Sequence, residues 1–284
     1  MNDTRRKALY LLCSLIAYCP CTTVLGQSAK APKVQPPVYL EGGQLNYVAD
    51  ERGNRVPDFS WCGYKASDQP VPDVPVRVVV PVTEGDATQR IQAAIDYVSS
   101  LPPGKDGIRG AVLLEKGRYT LNGRLTITAS GVVLRGSGAG SNGTSLVAAG
   151  ADRQALVRIA GKDDRKTNKD ITITDAYVPV NALTLHLPEK QDLKTGDHLL
   201  IRRPCTQAWI KQLGTETFGG GISALGWKPG QREITWERTI TAVNGTAITL
   251  DAPLTTALDT AYGGGTVALL QWPGRIEQVG VENL

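Results

Sequence analysis

The chain has 284 residues, 41% of them hydrophobic and 20% charged, enough to bury the core of one large domain or two smaller ones. Its 31 glycines and 17 prolines, against only 6% aromatics, favour many short strands joined by turns and argue against a helical bundle. The net charge is +4, and no basic stretch is interleaved with aromatic residues, which argues against nucleic acid as a partner.

Residues 1–26 read as a signal peptide. Arg5, Arg6 and Lys7 form a basic start, and Ala8 to Ala17 an apolar stretch too short to span a bilayer. Val24 and Gly26 are small enough for cleavage before Gln27. Thr4-Arg5-Arg6 hints at twin-arginine export. Bulky Tyr18 and Pro20, directly before Cys19 and Cys21, speak against a lipoprotein. The expected location is therefore secreted or periplasmic through bacterial export, with no transmembrane segment in the mature chain. Cleavage would remove Asp3, Arg5, Arg6 and Lys7 and lower the net charge to about +2. Of the five cysteines, Cys62 and Cys205 would remain. Export permits a disulfide between them, and two separate thiols are an equal alternative.

Residues 27–37 are polar and Pro-rich and read as a disordered leader. The chain becomes denser from Val38. Phe59, Trp61 and Tyr64 are expected to pack as core, in a segment that Pro70, Pro72 and Pro75 keep from being helical. Arg77 to Pro81 reads as a strand. Asp86-Ala87-Thr88-Gln89 has the spacing of a capping box, with Asp86 as N-cap and Gln89 reaching back. Ile91, Ala94, Ile95 and Val98 then make one apolar helical stripe, which Pro102-Pro103-Gly104 ends.

After Gly110 short apolar runs recur between glycine- or Asn-rich bends: Ala111–Leu114, Tyr119–Leu121, Leu125–Thr128, Val132–Leu134, Ser145–Ala148, Ala155–Ile159 and Ile171–Thr174. The bends leave no room for crossover helices, so a doubly wound fold is excluded, and a sandwich, a barrel or a parallel β-helix remains. Residues 175–271 read differently, as a small antiparallel β module. Its strongest signal is Trp236–Val243, Asn244-Gly245, Thr246–Leu250, a hairpin closed by a type I′ turn. Residues 272–284 return to the earlier alternation. A sheet stopping at Leu284 would leave an open edge, so the sequence is expected to be the N-terminal part of a longer protein.

Gly85-Asp86-Ala87-Thr88-Gln89-Arg90-Ile91-Gln92-Ala93-Ala94-Ile95-Asp96 resembles the opening helix of the pectate-lyase-like superfamily of right-handed β-helices. Val112-Leu113-Leu114-Glu115-Lys116-Gly117-Arg118-Tyr119, Val132-Val133-Leu134-Arg135-Gly136-Ser137-Gly138 and Val279-Gly280-Val281-Glu282-Asn283-Leu284 are similar to its first turn, its next signature and a return into regular coils. The resemblance covers roughly residues 77–174 and 275–284. It implies an all-β fold: a right-handed parallel β-helix with an N-terminal capping α-helix and an inserted antiparallel β module. Residues 38–174 would then be the N-terminal segment, capping helix and first coils, with the module at 175–271 and the return at 272–284. It also implies a polysaccharide partner, lyase or hydrolase chemistry, and calcium as a candidate cofactor. Superfamily members include tailspikes and surface proteins, and a tailspike-like oligomer fits poorly with an export signal.

In this superfamily the catalytic groups stand on middle coils, so none is expected before Leu284. Lyase chemistry needs a base and a group that neutralises a uronate carboxylate, and hydrolysis needs two flanking carboxyls. No spacing here displays either. His186 and His198 have no second ligand at metal spacing, Asp163-Asp164 reads as a solvated loop, and no metal site is expected. Gly138-Ala139-Gly140-Ser141-Asn142-Gly143 matches a nucleotide-binding pattern, but a strand and not a helix follows it, so no nucleotide is expected. The better site is the module's long loop. Trp209 and Trp227 lie among glycines there, with Arg202 and Arg203 close in sequence. Indole faces stack on sugars and guanidinium groups pair with uronate or sulfate, so these four residues are the expected substrate contacts. The expected function is a secreted carbohydrate-active protein, a polysaccharide lyase acting on a uronate polymer, with a non-catalytic carbohydrate-binding or surface protein as the alternative.

Overall fold

The computed structural model describes residues 36–59, 62–217 and 225–284. The expected signal peptide, nearly all of the leader, Trp61 and the Gly219-Gly220-Gly221 stretch lie outside the described residues. The chain is mostly β. β1 (Val38–Glu41) and β2 (Gln44–Tyr47) form an antiparallel hairpin. β3 (Val76–Val80) leads into a helix, Thr88–Ser100. Six short strands follow: β4 (Gly110–Leu114), β5 (Gly117–Leu121), β6 (Leu125–Ile127), β7 (Val132–Arg135), β8 (Thr144–Ala148) and β9 (Val157–Ile159).

The pairing of these six is parallel and ordered. β7 pairs with β4, β8 with β5, and β9 with β6, so three successive strands enter three different sheets and the next three lie beside them in the same order. β3 flanks β4 on its other side. The period-2 side-chain alternation of strands turns Tyr119, Leu121, Leu125, Ile127, Val132 and Leu134 into one core. Among the described residues no sheet closes on itself.

The helix covers one end of that core with the stripe read from sequence, since Ile91, Ala94, Ile95 and Val98 are its buried residues. It also finishes the backbone hydrogen bonding of the first strands. Gln92 Oε1 accepts from the Thr126 N–H at 2.8 Å and its Nε2 donates to the Thr126 carbonyl at 3.0 Å, as a neighbouring strand would. The helix start differs from the expected capping box. Ala87 is the N-cap and has no side-chain cap. Its N–H donates to the Thr120 carbonyl, pinning the entry to β5, while Asp86 accepts from the N–H groups of Thr88 and Asn122. A tertiary bridge has displaced the local cap. Phe59 is another departure from expectation: it is 61% exposed instead of core.

From β10 (Lys166–Thr167) the pairing becomes antiparallel. β11 (Ile171–Thr172), read from sequence as one more coil strand, pairs antiparallel instead. β12 (Tyr177–Val178), β13 (Thr184–His186) and β14 (His198–Arg203) follow, then a short helix, Gln207–Leu213. β15 (Ile234–Asn244) and β16 (Ala247–Leu250) make the expected hairpin, but Asn244 pairs with Ala247, so the turn residues are Gly245 and Thr246. With positive φ only at Gly245 (62°), the turn is not the expected type I′ turn centred on Asn244-Gly245. β17 (Leu258–Asp259) and β18 (Thr266–Gln271) complete the module. β18, β14, β15, β16 and β13 lie side by side in one sheet, with β10 and β11 both on the outer side of β18. Its core is separate: Leu185, Leu199, Ile201, Trp236, Ile240, Ile248 and Val267 cluster with one another.

β19 (Gly280–Glu282) then returns to pair in parallel with β7. The two crossings between the halves are bonded to each other. Lys162 N–H donates to the Gly274 carbonyl at 2.9 Å, Gly274 N–H to Asp164 Oδ1 at 2.8 Å, and Trp272 Nε1 to the Lys162 carbonyl at 2.8 Å. A Cβ on Gly161 would lie 2.1 Å from the Gly274 oxygen, so glycine is required at this close approach. Among the described residues no helix is long and apolar enough to cross a membrane.

Candidate functional site

A cleft of about 320 Å³ lies on the module, lined by Arg52, Tyr177, Arg203, Trp209, Asp259 and Tyr262 among others. Strand alternation builds its floor. In the β12–β17 pair, Val178 and Leu258 go into the core, while Tyr177 and Asp259, directly opposite one another in the register, face out. In β14, Leu199, Ile201 and Arg203 share the buried face and Arg202 takes the other.

Trp209 is placed by the short helix. Thr206 caps it by accepting from the Trp209 N–H at 3.2 Å, Ile210 anchors it in the interior, and Gly214 ends it in the left-handed conformation. The Arg203 guanidinium lies 3.7 Å over the Trp209 ring, and Tyr262 meets the same indole edge-on at 5.4 Å. Tyr262 belongs to a turn of 3₁₀ helix, Thr260–Tyr262, capped by Asp259, which accepts from the Ala261 N–H.

The opposite wall comes from the N-terminal segment. Asp50 accepts from the N–H groups of Arg52 and Asn54, closing a tight loop around Gly53. Asn54 Oδ1 accepts from Tyr177 Oη at 2.7 Å and from the Val180 N–H at 2.9 Å, which docks the loop on the module. Arg52 then lies 3.7 Å over the Tyr177 ring and donates to Asp259 Oδ2 at 2.8 Å. Two arginine–aromatic stacks thus stand around one carboxylate.

The electrostatics follow from these contacts. The hydrogen bond from Arg52, helped by the Ala261 N–H, holds the Asp259 carboxyl below its ordinary value. The same pair raises Arg52. Arg203 moves the other way, because burial disfavours its charge. The arrangement offers flat apolar rings, hydroxyl groups and one positive charge in excess of the carboxylate. That combination suits a polyhydroxyl ring with an acidic substituent.

Of the four residues expected from sequence, Arg203 and Trp209 meet in this cleft. Arg202 lies on the opposite face of β14 and pairs with Asp170. Trp227 is outside the cleft, its ring 5.9 Å from the Arg232 guanidinium and its backbone N–H donating to the Thr215 carbonyl. Arg52, Tyr177, Asp259 and Tyr262 were not expected. The Asp50-to-Asn54 spacing around a glycine marks a tight turn in sequence, but nothing there says which surface it will meet.

A second cleft, of about 470 Å³, lies where the module meets the parallel strands and is lined by His198, Glu237, Arg238, Asp251, Trp272, Arg275 and Glu277 among others. Its charges are largely consumed internally. Arg275 pairs with Glu237, Arg238 donates to the carbonyls of Glu237, Ala252 and Pro253, and the Trp272 ring has Arg165 and Arg275 each 5.0 Å from its centroid. His186 pairs with Asp175 at 2.8 Å, and Asp163 with Arg165. Among the described residues no three His, Cys, Asp or Glu side chains gather as a metal site, and Cys62 and Cys205 are both free thiols. The Gly138–Gly143 stretch is a bend between β7 and β8, folded by the Thr144 N–H donating to the Gly138 carbonyl.

No protein-family model and no curated protein matches this sequence. Among the solved structures that show a likeness are three phage tailspikes. The tailspike gp61 of Pseudomonas phage phi297 is 17% identical with a TM-score of 0.35, over 68% of this chain and 25% of that one. The tailspike gp49 of Pseudomonas phage LKA1 is 17% identical with a TM-score of 0.34, over 68% and 27%. The Gp54 tailspike of Acinetobacter baumannii bacteriophage AP22, solved with A. baumannii capsular saccharide, is 9% identical with a TM-score of 0.34, over 71% and 27%. The matched region thus spans about a quarter of each of those chains. At these TM-scores neither fold nor activity is carried over to this chain.

Proposed function

We propose that this is an exported glycan-binding protein of the pectate-lyase-like kind, and that the cleft between Arg52 and Trp209 holds the sugar. The observation that carries the reading is the convergence of Tyr177, Trp209 and Tyr262 with two guanidinium groups on one cleft of about 320 Å³. Aromatic rings present the flat apolar face that a pyranose stacks on, and the surrounding polar groups orient it. The scaffold is read as a right-handed parallel β-helix carrying an inserted antiparallel module. Two observations support this: the ordered pairing of β4, β5 and β6 with β7, β8 and β9, and the helix that completes the edge at Thr126. The signal-peptide pattern of residues 1–26 supports export, and the mature N-terminus, read by mass spectrometry of secreted protein, tests it.

The binding test is a glycan array followed by titration of the best ligand. Trp209→Ala is expected to weaken binding about tenfold or more, the loss of a stacking platform. Trp227→Ala, outside the cleft, is expected to leave affinity unchanged. An array with no retained glycan, or a Trp227 effect equal to that of Trp209, overturns the reading.

A catalytic form of the same proposal is a polysaccharide lyase acting on a uronate-containing polymer, supported by the resemblance of residues 85–96 and 112–119 to the superfamily. Release of unsaturated oligosaccharides from a polysaccharide panel is its test. A panel that yields neither unsaturated product nor new reducing ends removes the catalytic form and leaves binding standing.

A further inference from the structure

Arg203 is a buried charge that lacks a buried counter-charge. Its residue is 3% exposed, and no described carboxylate forms an ion pair with it. Nε donates to the Ala257 carbonyl at 3.1 Å, and one face of the guanidinium is covered by Trp209 at 3.7 Å. That is its one side-chain hydrogen bond to a described residue, so Nη1 and Nη2 have no described partner. Neither atom is among those sealed inside the protein without a partner, and Arg203 lines the cleft. Asp259 is the nearby carboxylate, but it is held by Arg52 and by the Ala261 N–H.

A guanidinium kept out of water loses solvation that only a good partner restores. Here the partner's shape is set in advance. Two parallel N–H donors in a fixed plane match the two oxygens of a carboxylate, or two oxygens of a sulfate ester. Trp209, itself braced edge-on by Tyr262, covers one face of that plane. We infer that Arg203 is the specificity residue of this cleft: it receives the carboxylate or sulfate of an acidic sugar and makes the protein select acidic over neutral glycans. This rests on the cleft being a sugar site and adds which sugars it takes.

The test is calorimetric titration of the full chain with three matched probes: a uronate oligosaccharide, its carboxyl-reduced neutral counterpart, and that neutral counterpart carrying a sulfate ester. Wild type is expected to bind at least one acidic probe about tenfold tighter than the neutral one, the value of one good charged pair. The probe preferred identifies carboxylate or sulfate. Arg203→Gln is expected to bring that ratio near one, and Arg202→Gln to leave it intact. Where Arg203→Gln does not fold, Arg203→Lys, which keeps the charge and loses the two-donor fork, is read in its place, and a ratio that survives intact in either folded variant overturns the role of Arg203. Equal binding of neutral and acidic probes overturns the role of Arg203 while the sugar site stands. A ratio abolished by Arg202→Gln overturns it in the same way. Binding of no probe and no glycan overturns the sugar site as well.

Discussion

Arg52 and Asp259 lie 207 positions apart in sequence, and their ion pair ties the N-terminal segment to the module beside the cleft. Because the pairing lowers the Asp259 pKa in the folded protein, its contribution is present above the unfolded value near 3.8 and is lost as pH falls through the lower folded value. Arg52 is more than half exposed, so solvent screens the pair and its effect on global stability is small. Its effect on the loop is the better readout. Asp259→Asn is expected to speed tryptic cleavage after Arg52 at neutral pH. The melting-temperature gap between wild type and Asp259→Asn should narrow and close as pH is taken below 3.8. A gap that widens in acid would show that Asp259 is stabilised as the neutral carboxyl instead. The sequence offered Arg202 and Arg203 as equals, and only the register of β14 separates them. An apolar partner at every second position, Leu199 and Ile201, marks Arg203 as the inward one once the strand is known. Arg52, Tyr177 and Asp259 were beyond reach of the sequence, because three segments far apart in the chain bring them together.

At the scale of elements, spacing was informative wherever local rules decide. The apolar stripe of the helix and the short runs between glycine bends fall where the strands and the helix lie, to within a few residues. Two features escaped besides the turn of the β15–β16 hairpin. Alternation looks the same in parallel and antiparallel strands, so Ile171-Thr172 could not be told from a coil strand. The helix start was read from local capping chemistry, and a bond from Ala87 to Thr120 prevailed. The helix itself carries a clear expectation. Ile95 is fully buried at the end of the parallel core, in contact with a cluster that includes Leu114, Leu121 and Leu125. Ile95→Ala is expected to cost about 2–5 kcal/mol of unfolding free energy, the transfer term plus the cavity left behind. Tyr97, on the outer face and 54% exposed, is the control, and Tyr97→Ala should change stability by no more than about 0.5 kcal/mol. Chemical denaturation of both variants checks this. Equal losses would mean that the helix is not held by its apolar stripe.

At the scale of the molecule, the described residues form two large cores and one small cluster of Val74, Ala111 and Val133. The cluster built on β4 to β7 contains no residue of the module, and the module's cluster contains none from the parallel strands. What joins them is the pair of crossings at Lys162 and Gly274, close enough for direct backbone hydrogen bonding, with Ala160 anchored to Ile127 on one side and Glu277 to Gly131 on the other. An insertion whose two ends meet is removable in principle, because the host chain is left with a gap it can close. Replacing residues 161–274 with a short Gly-Ser linker is therefore expected to leave a protein that keeps the helix and melts cooperatively. It should bind no glycan, since Tyr177, Arg203, Trp209, Asp259 and Tyr262 leave together. The loop at Arg52, which rests on Tyr177 and Val180, should become open to trypsin in the same protein. Circular dichroism and limited proteolysis read both expectations. A non-cooperative melt would mean that the parallel strands depend on the module for their fold. Retained binding would place the sugar site on the coils, away from the aromatic cleft.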